Sequence, residues 1–393
     1  MEEVFVLSAV RTPIGKYGGG LASVPPCDLA ARVVREAVSR AGVSADDVGH
    51  LVFGHVIHTE ARDMYISRVA ALDGGLNKET PALTVNRLCG SGMQAIVSAA
   101  QAIMLGDCQV AVAGGAESMS RAPYWIPAMR WGQRMGDGAA IDPMTGALSD
   151  PWDGCHMGVT AENVAADFHV SRQDQDALAA ESHRRAAAAT AAGYFKEQIL
   201  PVQIPGKKGT STLVEADEHI RADVSLDDMA RLRPAFTKDG TVTAGNASGI
   251  NDAAAAVVLA SGSFVTSHRL APLGRLAGYG HAGVEPRIMG MGPVPATRKV
   301  LDRTGLKTDQ IDVFEVNEAF AAQALAVVRE LDLPAERTNP NGSGISLGHP
   351  VGATGAILVV KSLYELQRTG GRYALNTMCI GGGQGIATIF ERA

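Results

Sequence analysis

The sequence is poor in several features that commonly announce a function. Charged residues make up only 19% of its 393 residues, and no Lys/Arg run exceeds two. With 35 basic against 41 acidic side chains the net charge is −6. The clustered positive charge that displaces phosphate counterions from a nucleic acid is therefore missing. The longest apolar runs, such as Ala253 to Ala260, reach about eight residues, against the ~20 that a helix needs to cross a bilayer. Neither a nucleic-acid nor a membrane partner is expected. The opening MEEVFVLSAVRTP lacks a basic stretch and alternates apolar residues, which predicts a first strand instead of a signal peptide. Five scattered cysteines with no Cys-x-x-Cys argue against a disulfide framework or zinc knuckle and for a reducing cytoplasm. No metal is expected either: His55, His58 and Asp63 lack a further convincing ligand and read as surface or interface residues.

What is present is glycine, 45 of them, and a hydrophobic content of 46%, enough for a large core. The length allows roughly two to three domain-sized units. Residues 32–48 align without a gap on 295–311, an offset of 263, with Arg35/Arg298, Arg40/Arg303, Gly42/Gly305 and Asp46/Asp309 coinciding. Each segment reads as an amphipathic helix, a glycine stop and a loop into a strand. A second match lays 89–107 over 349–367, at an offset of 260. Apolar residues at spacings of three and four give both segments one apolar stripe. Two copies of a strand–helix unit are thus expected, and such alternation favours largely parallel sheets covered by helices. The expected division is a half-domain at 1–120 completed by about 250–270, a loop or lid domain at 121–249, and a second half-domain at 271–393.

The register places Cys89 and His349 at the same point of the two copies, each at a helix start. If the copies pack about a pseudo-twofold axis, these two helix N-termini converge. A helix N-terminus favours an anion, so a thiol there is expected to have a lowered pKa, as a nucleophile needs. Gly90 and Gly92 leave the backbone open to a substrate. An isolated cysteine is usually a small buried apolar residue; repeat-equivalent placement among glycines argues for chemistry instead. Cys379, followed by Gly381, Gly382 and Gly383, suggests exposed N–H groups able to hold an oxyanion. Arg221, Ser248, Arg121, Arg130 and Arg134 are candidates for contacts to a phosphorylated carrier.

The segments NRLCGSGMQA (86–95), GGAESMSRAP (114–123), GTVTAGNASGIND (240–252), EVNEAF (315–320), NPNGSGISLGHPVGATGA (339–356) and MCIGGGQG (378–385) resemble the thiolase family from end to end. Within it the chain is most similar to short-chain biosynthetic thiolases and the β-ketothiolases of bacterial polyhydroxyalkanoate pathways. The resemblance implies an α/β thiolase fold with five α/β/α/β/α layers, formed by two half-domains plus a loop domain, as a homodimer or homotetramer. It implies Cys89 as the acylated nucleophile and Cys379 as acid and base. His349 would activate Cys89 and polarise the thioester oxygen. Asn317 would hold a water in one oxyanion hole, and the N–H groups of Cys89 and Gly381 would form the other.

Coenzyme A enters as substrate, with no prosthetic group. By resemblance Ser248 meets its pantetheine arm and Arg221 its nucleotide, while His156, Met157 and Phe320 line the acyl pocket. The Arg121–Arg134 stretch would pair dimers. The implied reaction is acetyl-CoA C-acyltransfer: condensation of acetyl-CoA with a short acyl-CoA, or the reverse cleavage. The alternatives are a degradative 3-ketoacyl-CoA thiolase of broader chain length, a ketoacyl synthase and a non-catalytic carrier.

Overall fold

A computed structural model describes residues 2–206 and 209–393. The first half runs β1 (Val4–Arg11), β2 (Gly15–Lys16), α1 (Pro26–Ala41), β3 (Val48–Gly54), α2 (Ile66–Asp73), β4 (Ala82–Val85), α3 (Ser91–Leu105) and β5 (Val110–Ser118). The middle stretch holds α4 (Pro143–Ala147), α5 (Met157–Asp167), α6 (Arg172–Ala191), the antiparallel pair β6 (Val202–Pro205) and β7 (Ser211–Val214), and α7 (Leu226–Ala230). β8 (Asn251–Ser261) and α8 (Gly262–His268) follow. The second half runs β9 (Gly274–Gly283), α9 (Pro293–Thr304), β10 (Val313–Val316), α10 (Ala321–Glu330), α11 (Gly344–Leu347), α12 (Val351–Thr369), β11 (Tyr373–Ile380) and β12 (Gln384–Arg392).

The internal repeat is visible in the helix ends. α1 and α9 each carry proline in the first turn and stop at a left-handed glycine, Gly42 at φ 67° and Gly305 at φ 71°. A missing N–H costs nothing in a first turn, and glycine enters the left-handed region freely. Strand order repeats as well. The first half is ordered β4-β3-β5-β8-β1 and the second β10-β11-β12-β9, the same sequence of equivalents apart from β4. The two sheets run into each other at β1 and β9 through the pairs Phe5–Arg275 and Val6–Gly274.

The sheets are less parallel than alternation suggested. Only β3–β4, β3–β5 and β10–β11 are parallel; β8 and β12 each run antiparallel to both main neighbours. β12 follows β11 through a turn at 381–383, far too short for a parallel crossover. β8 returns from the middle stretch antiparallel to β5, in the equivalent place.

Helices make up the other layers. α1 and α2 cover the outer face of the first sheet, α9 and α10 that of the second, and α3 and α12 lie between the sheets. Nearly every residue of α12 is buried, and its polar side chains find partners inside, as Lys361 Nζ does in donating to Glu315 Oε2 at 2.7 Å. The window Leu88–Leu105 has the length and composition of a membrane span, but in the fold it supplies α3 of this central layer. Ile96, Ile357 and Leu363 pack there at 3% exposure or less, and truncating one to alanine costs ~2–5 kcal/mol.

Candidate active site

α3 and α12 touch where glycine removes the side chain. A Cβ on Gly92 would stand 2.8 Å from Ala356 N and 3.0 Å from Gly352 O, and one on Gly355 would stand 2.4 Å from Met93 N. Gly92 and Gly352 are repeat equivalents, so the pseudo-twofold axis passes close to this contact. The caps of the two helices are Gly90 and Pro350. Cys89 and His349 are therefore each the residue before a cap, at the same place in both copies.

The turn bearing Cys89 is tightly held. Leu88 lies in the left-handed region at φ 45°, a conformation that costs a non-glycine residue ~1–3 kcal/mol. Local hydrogen bonds hold it: Leu88 N–H donates to Asn86 Oδ1 at 2.9 Å, Arg87 N–H to Ser91 Oγ at 2.8 Å, and Ser91 Oγ to Leu88 O at 2.6 Å. The thiol pKa is raised, not lowered as the helix start had suggested. Burial pushes it up to about 11, and the Glu117 carboxylate adds to the effect. The N–H groups of Gly381 and of Cys89 itself act the other way, favouring the thiolate. Burial wins because a partial helix charge offers only ~0.3–1 kcal/mol, whereas desolvation can move a buried group by several pKa units.

His349 is buried, and burial holds its pKa down to about 4. Its backbone N–H donates to Asn251 Oδ1 at 2.9 Å, and its Nδ1 is 2.7 Å from Thr354 Oγ1. The Thr354 hydroxyl donates to Pro350 O at 2.9 Å, so it receives the Nδ1 proton and leaves Nε2 bare. Nε2 faces Asn317 Nδ2 at 3.5 Å. Asn317 follows β10, anchored by its N–H to Thr377 O at 3.0 Å, and its Oδ1 has no partner among the described residues. The sequence reading missed Asn251 and Thr354. The Thr354 position five residues after His349, within the first turn and a half of α12, was the available signal.

Cys379 is the second-last residue of β11 and 1% exposed. Burial raises its pKa strongly, and proximity to Cys89 raises it further. The following turn needs glycine, since Gly382 and Gly383 adopt φ 82° and 85°, and it presents the Gly381 N–H toward Cys89.

A cavity of about 530 Å³ opens beside this group, with His349, His156, Phe320, Ser248 and Arg221 on its wall. His156 accepts from Gly158 N–H through Nδ1 at 3.0 Å, so its ring proton is on Nε2; burial lowers its pKa. It stacks on Phe236 at 4.7 Å. Ser248 is tied to the Asn317 loop by its N–H to Ala319 O at 2.9 Å. Arg221 is exposed at the cavity, as is Lys16. Lys16, His219 and Phe236 also line it and were not anticipated. Met157 is not on this wall; its sulfur packs near Gly381, in one apolar cluster with Cys379 and Phe320. Arg121, Arg130 and Arg134 do not line it either, and Arg121 is paired with Glu60 at 3.1 Å. A cavity of about 630 Å³ between residues 56–64 and 123–147 is also lined by Asn86 and Leu88 of the turn bearing Cys89, and by His58.

The reading of His55 and Asp63 as surface residues is corrected: they are 1% and 0% exposed, because they belong to a buried hydrogen-bonded network. Among the described residues no group of three or more candidate ligands could hold a metal ion.

Repeated half-domains whose equivalent helix starts carry a cysteine and a histidine, with an asparagine set against that histidine, suit thioester acyl transfer. The chain belongs to the thiolase family: its residues 4–263 match the family description "Thiolase, N-terminal domain" and 270–392 "Thiolase, C-terminal domain". It is 64% identical to beta-ketothiolase BktB of Cupriavidus necator over 391 residues, 99% of each chain. It superposes on the crystal structure of the Bacillus anthracis acetyl-CoA acetyltransferase with a TM-score of 0.98 at 45% identity, covering 100% and 99% of the two chains. Human mitochondrial 3-ketoacyl-CoA thiolase in complex with CoA matches with a TM-score of 0.96 at 43% identity, covering 100% and 98%.

Proposed function

We propose that this thiolase catalyses the reversible Claisen condensation of acetyl-CoA with acetyl-CoA or a short acyl-CoA, through an acyl-Cys89 intermediate. The observation that carries the reading is bare His349 Nε2 facing Asn317 Nδ2, with Cys89 at the repeat-equivalent helix start and the Gly381 N–H turned toward its thiol. At rest the thiol and the imidazole are both neutral, since the one is pushed up to about 11 and the other down to about 4. Attack on the thioester therefore coincides with transfer of the Cys89 proton to His349 Nε2. The carbonyl oxygen becomes an oxyanion that the Cys89 and Gly381 N–H groups receive. CoA leaves with the proton of Cys379, which remains as thiolate, and Cys89 carries the acyl group.

The second thioester then places its carbonyl oxygen by Asn317 Nδ2, a bound water and the His349 imidazolium. Fixed donors stabilise the enolate while Cys379 takes the α-proton. The enolate carbon attacks acyl-Cys89, the C–S bond breaks, and Cys89 recovers its proton from His349. Arg221 and Lys16 meet the phosphates of CoA, and Ser248 and His156 the pantetheine arm.

The test is thiolysis of acetoacetyl-CoA by CoA, followed by loss of its enolate absorbance. Wild type turns over and Cys89→Ala does not; full activity in that variant would refute the assignment. For acyl length we propose four- to six-carbon products, supported by the likeness to the beta-ketothiolase BktB and checked by specificity constants across a 3-ketoacyl-CoA series. A role in polyhydroxyalkanoate synthesis is proposed on the same likeness. Tyr124, Trp125, Trp131 and Trp152 are all more than half exposed within the loop stretch, which supports a homodimer or homotetramer covering that face; sedimentation measures it. Five free cysteines suit the cytoplasm.

A further inference from the structure

Glu117 takes no part in the chemistry above, yet it is 0% exposed beside the reacting groups. It is the second-last residue of β5. Its Oε2 accepts from Val56 N–H at 3.1 Å and Gly352 N–H at 2.9 Å, and its Oε1 from Ile57 N–H at 3.1 Å. His55 Nδ1 stands 3.3 Å from Oε1 and 2.8 Å from Ala116 O. A carbonyl accepts only, so His55 Nδ1 carries a proton. Every group facing Glu117 is then a donor, and the pattern requires the carboxylate form even though burial opposes it. The contact has no slack: a Cβ on Gly352 would stand 2.5 Å from Glu117 Oε2, and one on Gly115 2.1 Å from Gly352 O.

Gly352 is the second residue of α12 and lies three residues after His349. One carboxylate thus fastens three segments: the end of β5, the 55–57 loop and the helix entry that presents the catalytic imidazole. We propose that Glu117 is a positioning residue, whose carboxylate clamps the start of α12 and so keeps the His349 imidazole in place beside Asn317 Nδ2. The titratable groups around it are His55, His58 and Asp63 on the loop, His349 at the helix entry, and Cys89 on its own turn. Asp63 is held by Thr59, Glu60 and Cys27, and it stands 4.0 Å from His55 Nε2, so it reaches Glu117 only through that ring.

The proposal rests on Cys89 being the nucleophile, and alkylation of that thiol reads it independently of condensation. The experiment compares wild type, Glu117→Gln and Glu117→Asp by thiolysis kinetics, melting temperature and the pH dependence of iodoacetamide inactivation. Glu117→Gln keeps size and loses charge. It is expected to lower kcat about tenfold or more with KM within about twofold, while iodoacetamide still inactivates it, which shows the nucleophile intact. A kcat loss with KM and melting temperature held is a signature that simple loss of stability does not give. Glu117→Asp keeps the charge but retracts from Gly352 N–H; kcat is expected to fall with the alkylation profile unchanged. If Glu117→Gln fails to fold, the Asp variant decides. Wild-type kcat in either folded variant, or a kcat loss in folded Glu117→Gln matched by an equal rise in KM, overturns the proposal. Absence of thiolysis by wild type would instead refute the function proposed above.

Discussion

Replacing Thr354 by valine changes one atom pair in the active site and almost nothing in the fold. Valine has the shape of threonine, and Pro350 O, which loses the hydroxyl, still accepts from Ala353 N–H and Thr354 N–H at 2.9 Å each. What disappears is the acceptor 2.7 Å from His349 Nδ1. A buried N–H without a partner costs ~1–3 kcal/mol, and the ring escapes that cost by moving its proton to Nε2. The base that should receive the Cys89 proton is then already occupied. If the whole cost falls on the productive tautomer, kcat drops about 5- to 150-fold, at 1.36 kcal/mol per decade. KM for acetoacetyl-CoA stays near its wild-type value, because Thr354 is not on the cavity wall. Thr354→Ser restores the acceptor and should recover most of the activity. Steady-state thiolysis with both variants, alongside their melting temperatures, makes the comparison. A folded Thr354→Val enzyme with wild-type kcat would refute the tautomer argument.

Other outcomes follow from the same geometry. Gly355→Ala drives a methyl into the backbone of Met93 at 2.4 Å; overpacking of this kind costs ~1–3 kcal/mol or more, so denaturant titration should report lost stability and thiolysis a lower kcat. Arg221→Ala removes an exposed cation from the cavity and is expected to raise KM for CoA about tenfold with kcat held, whereas an unchanged KM would place the phosphates elsewhere. The pH dependence has a definite sign. With the thiol raised to about 11 and the imidazole lowered to about 4, inactivation by iodoacetamide should keep rising through alkaline pH; a plateau at neutral pH would reveal a resting thiolate and contradict the assigned protonation.

Much of this arrangement can be read from sequence because the repeat carries it. Cys89 and His349 align only when one copy is laid on the other, and Gly92 and Gly352, which let α3 and α12 cross, align in the same register. What cannot be read is whatever depends on groups brought together by folding. Glu117 and Gly352 are 235 residues apart, and no local pattern links them. Asn251 reaches His349 from the far end of β8. The helix start beside Cys89 is legible, but the desolvation that outweighs it is a property of the packed interior. His55 and Asp63 read as surface residues by type, since their burial depends on Glu117, Thr59 and Cys27 supplying partners. Arg121 looks like a phosphate contact until Glu60, brought against it by the fold, takes its charge.

The division of labour between the two cysteines is tested most directly by mass spectrometry of Cys379→Ala incubated with acetyl-CoA. The account predicts an acetyl group on Cys89 and no acetoacetyl-CoA in solution, because the departing CoA thiolate can take its proton from water in place of Cys379, whereas the α-proton has no base. An unmodified Cys89, or acetoacetyl-CoA formed at the wild-type rate, would contradict it.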